Sequence, residues 1–285
     1  MHRWQFRKAR GGRVSFAHQR SYGPTPNYPL VKAYKRKSEE FIFISGSCSV
    51  ESRAQVIAMA AIARQAGATH LRGGCFRAGT YPSDKTRFGW ISEHLIQSFQ
   101  EAAHTNGLKN IIEVLDYSDE SLKLIEPYCD VFQVGARAMQ NYSLLTKLGK
   151  YDKPVFLKRN TGATLDELLG AAEYLLKGGV TELYLIERGS STHLNHCRWD
   201  LSISMIPAIK AICDIPVIVD ASHGTGRSDL VSPMTLAGIA AGAGGCLVEC
   251  HYDPAASISD SEQAIDPQSL YRLSEKINKV REAIK

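Results

Sequence analysis

Cys48, Arg72, Glu113, Asp116, Arg137, Lys158, Arg159, Glu187, Arg188, Asp220, His223, Glu249 and His251 share one placement. Each lies at, or just beyond, the C-terminal end of a short apolar run. Two chemistries separate among them. Arg72, Arg137, Lys158 and Arg188 are cations contributed by four different runs. Like charges brought together repel unless an anion lies between them, and Arg forks match carboxylate and phosphate oxygens bidentately. A small, multiply anionic substrate such as a phosphorylated carboxylate is the occupant this set calls for. The alternative is that each cation pairs with a neighbouring acid such as Glu187. The second group is Cys48, His223, Glu249 and Asp260, which follow the first, seventh and eighth runs. A mixed thiol, imidazole and carboxylate set suits a divalent transition metal rather than Ca²⁺ or Mg²⁺. No local ligand motif accompanies it, and the alternatives are an inert buried thiol at Cys48 and a hydrogen-bonded loop histidine at His223.

The runs that must position these residues are FIFIS (41–45), THLRG (69–73), NIIEVL (110–115), VFQVG (131–135), VFLKR (155–159), LYLIE (183–187), VIVDA (217–221) and CLVEC (246–250). They are short and β-branched, as strands are. Segments of helical period lie between them, such as 52–67, 165–179 and 229–245, and these often end in Gly, a common helix stop. Eight such alternations predict an α/β fold: a single-domain (β/α)₈ TIM barrel over residues 41–285, preceded by a short basic extension at 1–40. A doubly wound sheet would share the alternation, but no GxGxxG follows the first strand and no GxxxxGK[ST] occurs. In a barrel, chemistry collects at the C-terminal ends of the strands, where all of these polar residues fall. Side-chain alternation in CLVECH sets Leu247, Glu249 and His251 on one face and Cys246, Val248 and Cys250 on the other. If Glu249 faces the mouth, Cys246 and Cys250 face the helices.

Composition narrows the partners. The chain has 285 residues, 44% hydrophobic and 22% charged, an ordinary globular balance. No apolar run reaches the length of a membrane span, and no apolar h-region follows the basic N-terminus. Residues 1–38 hold ten Lys/Arg and no Asp or Glu, so a basic arm precedes an acidic body within a total of +5. The arm has neither zinc-finger spacing nor a helical basic stripe, so neither nucleic acid nor membrane is an expected partner. It is poor in Ser for a transit peptide and reads as an ordinary extension. Seven cysteines with no CxxC point to a reducing, cytoplasmic setting rather than a disulfide framework.

GSCSVES (46–52), LRGG (71–74), QVGARAMQN (133–141), PVFLKR (154–159), IERG (186–189), PVIVDASHGTGR (216–227) and AGAGGCLVECHYDP…SD (241–260) resemble successive motifs of the 3-deoxy-7-phosphoheptulonate (DAHP) synthases. The branch is the compact bacterial one, with the octulosonate-8-phosphate synthases as relatives. The resemblance runs over residues 40–266 and implies a barrel that condenses phosphoenolpyruvate with an aldose phosphate, erythrose 4-phosphate above all, releasing inorganic phosphate. By the resemblance, Cys48, His223, Glu249 and Asp260 are ligands of a divalent ion (Mn²⁺, Fe²⁺, Co²⁺ or Zn²⁺). Arg137 and Arg188 hold the phosphate of phosphoenolpyruvate, and Arg72 and Lys158 lie near its carboxylate. Arg77, Thr80 and Glu187 join the substrate-binding positions, with Arg77, Lys158 and His223 as catalytic candidates. Dimers or tetramers are implied. With no separate regulatory module recognisable in residues 1–40, little inhibition by Phe or Tyr is expected.

The departures from the family pattern cluster. Where the family has KPRTSP after LRGG-x-F, this chain has RAGTYP, so Arg77, Ala78 and Gly79 stand for Lys, Pro and Arg. By the resemblance the lysine touches phosphoenolpyruvate and the arginine grips the aldose phosphate. Arg is a poor proton donor, and Gly79 carries no charge. Ala138 stands for Asn, Ala221 for Pro, and Trp199, Asp200 and Ser202 alter the loop after the sixth strand. Three readings follow. The first is a DAHP synthase in which Lys85 or Arg87 replaces the lost charge. The second is a paralogue acting on another aldehyde, and the third is a non-catalytic barrel that binds an anion or metal. The LRGG glycines are expected to let backbone approach the ligand.

Overall fold

The computed structural model describes residues 27–77, 89–114 and 118–285, with Arg77 described in its backbone only. Eight parallel strands close a barrel: β1 (Ile42–Gly46), β2 (His70–Arg72), β3 (Lys109–Val114), β4 (Val131–Val134), β5 (Val155–Lys158), β6 (Leu183–Glu187), β7 (Val217–Asp220) and β8 (Gly245–Glu249). Each pairs with its sequence neighbours, and β1 closes on β8 from Ile42↔Gly245 to Gly46↔Glu249. Every strand lies within a residue or two of its expected apolar run. A two-residue antiparallel pair, Phe76–Arg77 with Gly89–Trp90, follows β2. Among the described residues no helix is long and apolar enough to cross a membrane.

Alternation divides the strands between two cores. Ile42, Ile44, Ile111, Val131, Phe156, Tyr184, Ile186, Ile218 and Leu247 fill the barrel interior. The alternate positions, among them Phe43, Phe132, Leu157, Val219, Cys246 and Val248, pack outward under the helices. Cys246 and Cys250 therefore face the helices, as the phase of CLVECH predicts. One step further along each inward row the side chains change character, to Gly46, Arg72, Glu113, Gln133, Lys158, Arg188, Asp220 and Glu249. The bottom of the barrel is dry and its top is charged. His70, one inward step below Arg72, is pushed down to about 4 by burial and so stays neutral among these apolar layers.

The outer helices carry their own start and stop signals. The helix α6 (Leu165–Gly178) opens with a capping box in which Thr164 accepts from the Glu167 amide and Glu167 accepts from the Thr164 amide. The short helix α8 (Ala221–Thr225) is capped by Asp220, whose side chain accepts from the His223 amide. Within the extension, Tyr28, Val31 and Tyr34 are buried against the barrel. The helix α1 (Pro29–Ala33) donates two backbone N–H groups to Glu173 on α6, and the Tyr34 hydroxyl bridges the amide and carbonyl of Leu183 at the start of β6.

Two glycines fix the relation of β1 to β2. Gly46 has φ +149°, and a Cβ there would lie 2.0 Å from the Arg72 carbonyl oxygen. A Cβ on Gly74 would lie 2.5 Å from the Cys48 carbonyl, to which the Gly74 amide donates at 2.9 Å. These close approaches are between backbones, and at Gly74 the missing side chain lets the Cys48 loop seat against β2. Gly46→Ala is expected to destabilise the fold by at least ~2 kcal/mol through strain and overpacking. An unchanged urea midpoint would contradict that reading.

Candidate active site

At the C-terminal end of the barrel the ligand atoms of Cys48, His223, Glu249 and Asp260 lie within 4.8 Å of one another. Cys48 comes from the loop after β1, His223 from α8, Glu249 from the end of β8, and Asp260 from the loop beyond it. The Cys48 thiol donates to Asp260 Oδ2 at 2.9 Å, and His223 Nε2 lies 3.1 Å from Glu249 Oε1. Asp260 holds a left-handed backbone at φ 50°, a costly conformation for a residue other than glycine. Burial, then the negative charge of Glu249, pushes the Cys48 thiol well above its ordinary range.

These residues fit a divalent cation. His223 Nδ1 lies 2.9 Å from Asp220 Oδ2, and a proton held there leaves the Nε2 lone pair facing the Glu249 carboxylate. Two such acceptors repel unless a cation sits between them. The same cation would supply the charge that a buried Cys48 thiolate needs beside two carboxylates. A carboxylate behind a ligating imidazole is the usual way its ring is oriented. In the sequence Asp220 is only a strand-end acid. Its inward phase on β7, one step above Ile218, is the signal that assigns it to the site.

Asp220 also joins the two groups of residues. Lys158 Nζ lies 3.0 Å from Asp220 Oδ2 and 3.3 Å from His223 Nδ1. Burial works against charge on Asp220, but His223 and Lys158 outweigh it and hold the carboxyl far below the usual range. Arg72 reaches the metal-type set directly. Its Nη1 donates to Glu249 and, at 3.3 Å, to the Ser47 carbonyl, while Nη2 lies 3.7 Å from Glu113. Burial disfavours its charge, and Glu249, Cys48 and Glu113 restore it. Glu249 is completed by Gln263, whose amide donates to its second oxygen.

Arg188 is different. It is 8% exposed, makes no ion pair among the described residues, and its Nε is buried without a partner. Burial lowers its pKa, with Asp220 opposing. A buried guanidinium with an unmet donor calls for an anion. Arg137 sits on the exposed turn Ala136–Ala138 just after β4. Of the remaining candidates, the Arg77 side chain, Thr80, Lys85, Arg87 and Asp116 lie outside the described residues.

Glu187, expected at a substrate contact, is engaged by protein groups in this structure. Its carboxylate accepts Arg159 Nε at 2.5 Å and Nη2 at 2.8 Å, and also the amides of Gly189 and Ser202. Glu187 and Arg159 occupy outward positions on adjacent strands, one residue from the inward Arg188 and Lys158. The pairing of a cation with Glu187 is therefore real, but the cation is Arg159. The alternation that sorted CLVECH would have separated them.

The arrangement defines a (β/α)₈ barrel whose mouth joins a transition-metal donor set to an anion cradle. The profile of the DAHP synthetase I family matches residues 27–285, and the chain belongs to that family of carbon–carbon bond-forming enzymes. It is 37% identical to the phospho-2-dehydro-3-deoxyheptonate aldolase of Thermotoga maritima over 86% of this chain and 71% of the relative. It is 24% identical to the 2-dehydro-3-deoxyphosphooctonate aldolase of Desulfotalea psychrophila over 86% of this chain and 91% of that one. The crystal structure of the Thermotoga maritima DAHP synthase superposes with a TM-score of 0.81, covering 87% of this chain and 71% of that one at 37% identity. A truncated form of 3-deoxy-D-arabino-heptulosonate 7-phosphate synthase from the same organism gives 0.78 at 36% identity, over 87% and 88% of the two chains.

Two variants test the site. Asp220→Asn is expected to lower metal affinity or turnover roughly 10- to 100-fold, the usual cost of losing a carboxylate behind a ligand; unchanged metal titration and kinetics would contradict it. Glu187→Gln should cost about 3 kcal/mol of stability by leaving Arg159 buried and unpaired. A raised KM with an unchanged unfolding midpoint would restore Glu187 to the substrate site.

Proposed function

We propose that this protein condenses phosphoenolpyruvate with an aldose phosphate, erythrose 4-phosphate first among them, and releases inorganic phosphate. The observation that carries this reading is the contact of Lys158 with both Asp220 and His223, because it sets a buried cation of the anion cradle against a ligand of the metal-type set. The names of the aligned relatives support the substrate pair. A divalent ion held by Cys48, His223, Glu249 and Asp260 would supply Lewis-acid polarisation of a carbonyl oxygen.

The chain's own residues do the rest. Arg188, with its unmet Nε, receives the phosphate of phosphoenolpyruvate, aided by Arg137. Lys158 and the free Nε of Arg72 face its carboxylate and orient its C3 toward the acceptor carbonyl. Bond formation between C3 and that carbonyl carbon leaves positive charge at C2 and negative charge on the acceptor oxygen. Fixed dipoles and cations in a buried mouth stabilise such charges without reorganising. Water adds at C2, and the C2–O bond breaks as phosphate leaves. Lys158 is placed to deliver the proton that the acceptor oxygen takes up, and the proton released by the water that adds at C2 makes good the loss.

A different aldehyde is the second reading. It is favoured by Trp199, which lies 5.3 Å from the Arg188 guanidinium in a loop that departs from the family pattern. One experiment separates the two. The protein is incubated with Mn²⁺, phosphoenolpyruvate and one of erythrose 4-phosphate, ribose 5-phosphate, arabinose 5-phosphate or an unphosphorylated sugar, and the 2-keto-3-deoxy product is measured. Preference for erythrose 4-phosphate is expected. Preference for another aldehyde selects the second reading, and phosphate release with none of them defeats both. Arg188→Ala should raise the KM for phosphoenolpyruvate more than that for the aldehyde, by roughly 10- to 100-fold for a lost charged contact. Equal changes in both would contradict the phosphate role.

A further inference from the structure

We propose that Arg198, stacked on Trp199 at the rim of the mouth, binds the phosphate of the aldose, with Trp199 as the residue that positions it. This rests on the condensation proposed above and names its acceptor-side anion contact.

The loop that carries both residues is anchored to the site. It is closed by backbone hydrogen bonds between Ser190 and Asp200, at 2.8 and 3.0 Å. The Arg198 amide donates to the Thr225 carbonyl at 2.8 Å, at the end of the helix that presents His223. Arg198 also lies close over Gly226, where a Cβ would come within 2.7 Å of its own. The backbone of Arg198 is therefore set by the same short helix that sets a metal-type ligand.

The side chain points to the same place. Arg198 Nη1 lies 3.3 Å from Asp260 Oδ1, while the other oxygen of that carboxylate accepts the Cys48 thiol. One carboxylate separates this guanidinium from the metal-type set, so an anion on Arg198 belongs to a molecule whose other end can reach that set. Arg198 makes no second ion pair among the described residues, and its side chain is 50% exposed. Most of its donors are open to a ligand entering from solvent.

Trp199 explains how so exposed an arginine is held. Arg198 lies 5.9 Å from the Trp199 ring centroid and Arg188 5.3 Å from the same ring. Two guanidiniums share one aromatic face system, with a single acid, Asp260, within ion-pair distance of either. The stack thus has surplus positive charge at both ends, one buried and one open. The indole Nε1–H is also buried without a partner. A two-anion reaction needs such a pair of places, a deep one for the substrate bound first and an accessible one for the substrate that follows.

The test uses the full chain with Mn²⁺, and compares wild type with Arg198→Ala, Arg198→Lys and Trp199→Ala. KM is measured for phosphoenolpyruvate and for erythrose 4-phosphate, and the rate is measured with unphosphorylated erythrose. In parallel, calorimetry records binding of erythronate 4-phosphate, a non-reacting sugar phosphate. Arg198→Ala is expected to raise the KM for erythrose 4-phosphate and the Kd for erythronate 4-phosphate on the order of 10- to 100-fold. The KM for phosphoenolpyruvate should stay within about twofold, and the preference for phosphorylated over unphosphorylated erythrose should collapse. Arg198→Lys should restore part of the loss, and Trp199→Ala should show a smaller shift of the same kind. Equal changes in both KM values, or an unchanged Kd, would overturn the inference. If no aldehyde reacts, the condensation itself fails, and the calorimetric arm still decides whether Arg198 grips a sugar phosphate.

Discussion

Glu249 is 1% exposed at the top of a closed barrel, and a carboxylate so placed can keep its charge only if donors surround it. Arg72 donates to one oxygen from β2 and Gln263 to the other from the loop beyond β8, while His223 Nε2, with its lone pair, faces the carboxylate from α8 across the place a cation would take. The backbone amide of Glu249 is held by Ser222, next to His223. Removing either donor would leave charge buried with less compensation. The closure of β8 on β1, the seating of Cys48 against β2 and the placement of α8 therefore all answer to one carboxylate.

A second buried acid extends the same logic. Asp220 is wholly buried and stands between Lys158 and His223. Through it the cations that suit one anionic substrate and the donors that suit a metal become one electrostatic unit. Arg188 lies at the edge of that unit with its Nε unmet. Thus the acids Glu249 and Asp220 fix the mouth in place, while Arg188 and Arg72 each keep a buried Nε donor without a partner.

Much of this was legible in the sequence because a barrel strand repeats every two residues. The eight apolar runs located the strands, and phase placed Glu249 inward and Cys246 outward. The metal-type set, scattered over more than 200 residues of chain, could be grouped only once a closed barrel made the first strand a neighbour of the eighth. Glu187 lies outward, one residue from the inward Arg188, and only the two-residue phase of the strand separates such neighbours. A loop glycine gives no sign of what approaches it, which at Gly74 is the Cys48 carbonyl. The Arg198–Trp199 stack was not legible at all, since its meaning depends on Asp260, sixty residues away in an irregular loop. The role of Tyr34 is equally hidden, its partner being the backbone of Leu183.

The most direct test is a crystal grown with Mn²⁺ and phosphoenolpyruvate and measured across the manganese absorption edge. The expected result is a single strong anomalous peak bounded by Cys48, His223, Glu249 and Asp260, with the phosphate of phosphoenolpyruvate against Arg188. A peak elsewhere, or a phosphate that avoids Arg188 while the donor set stays bare, would contradict the union of metal and anion sites on which the proposed chemistry stands.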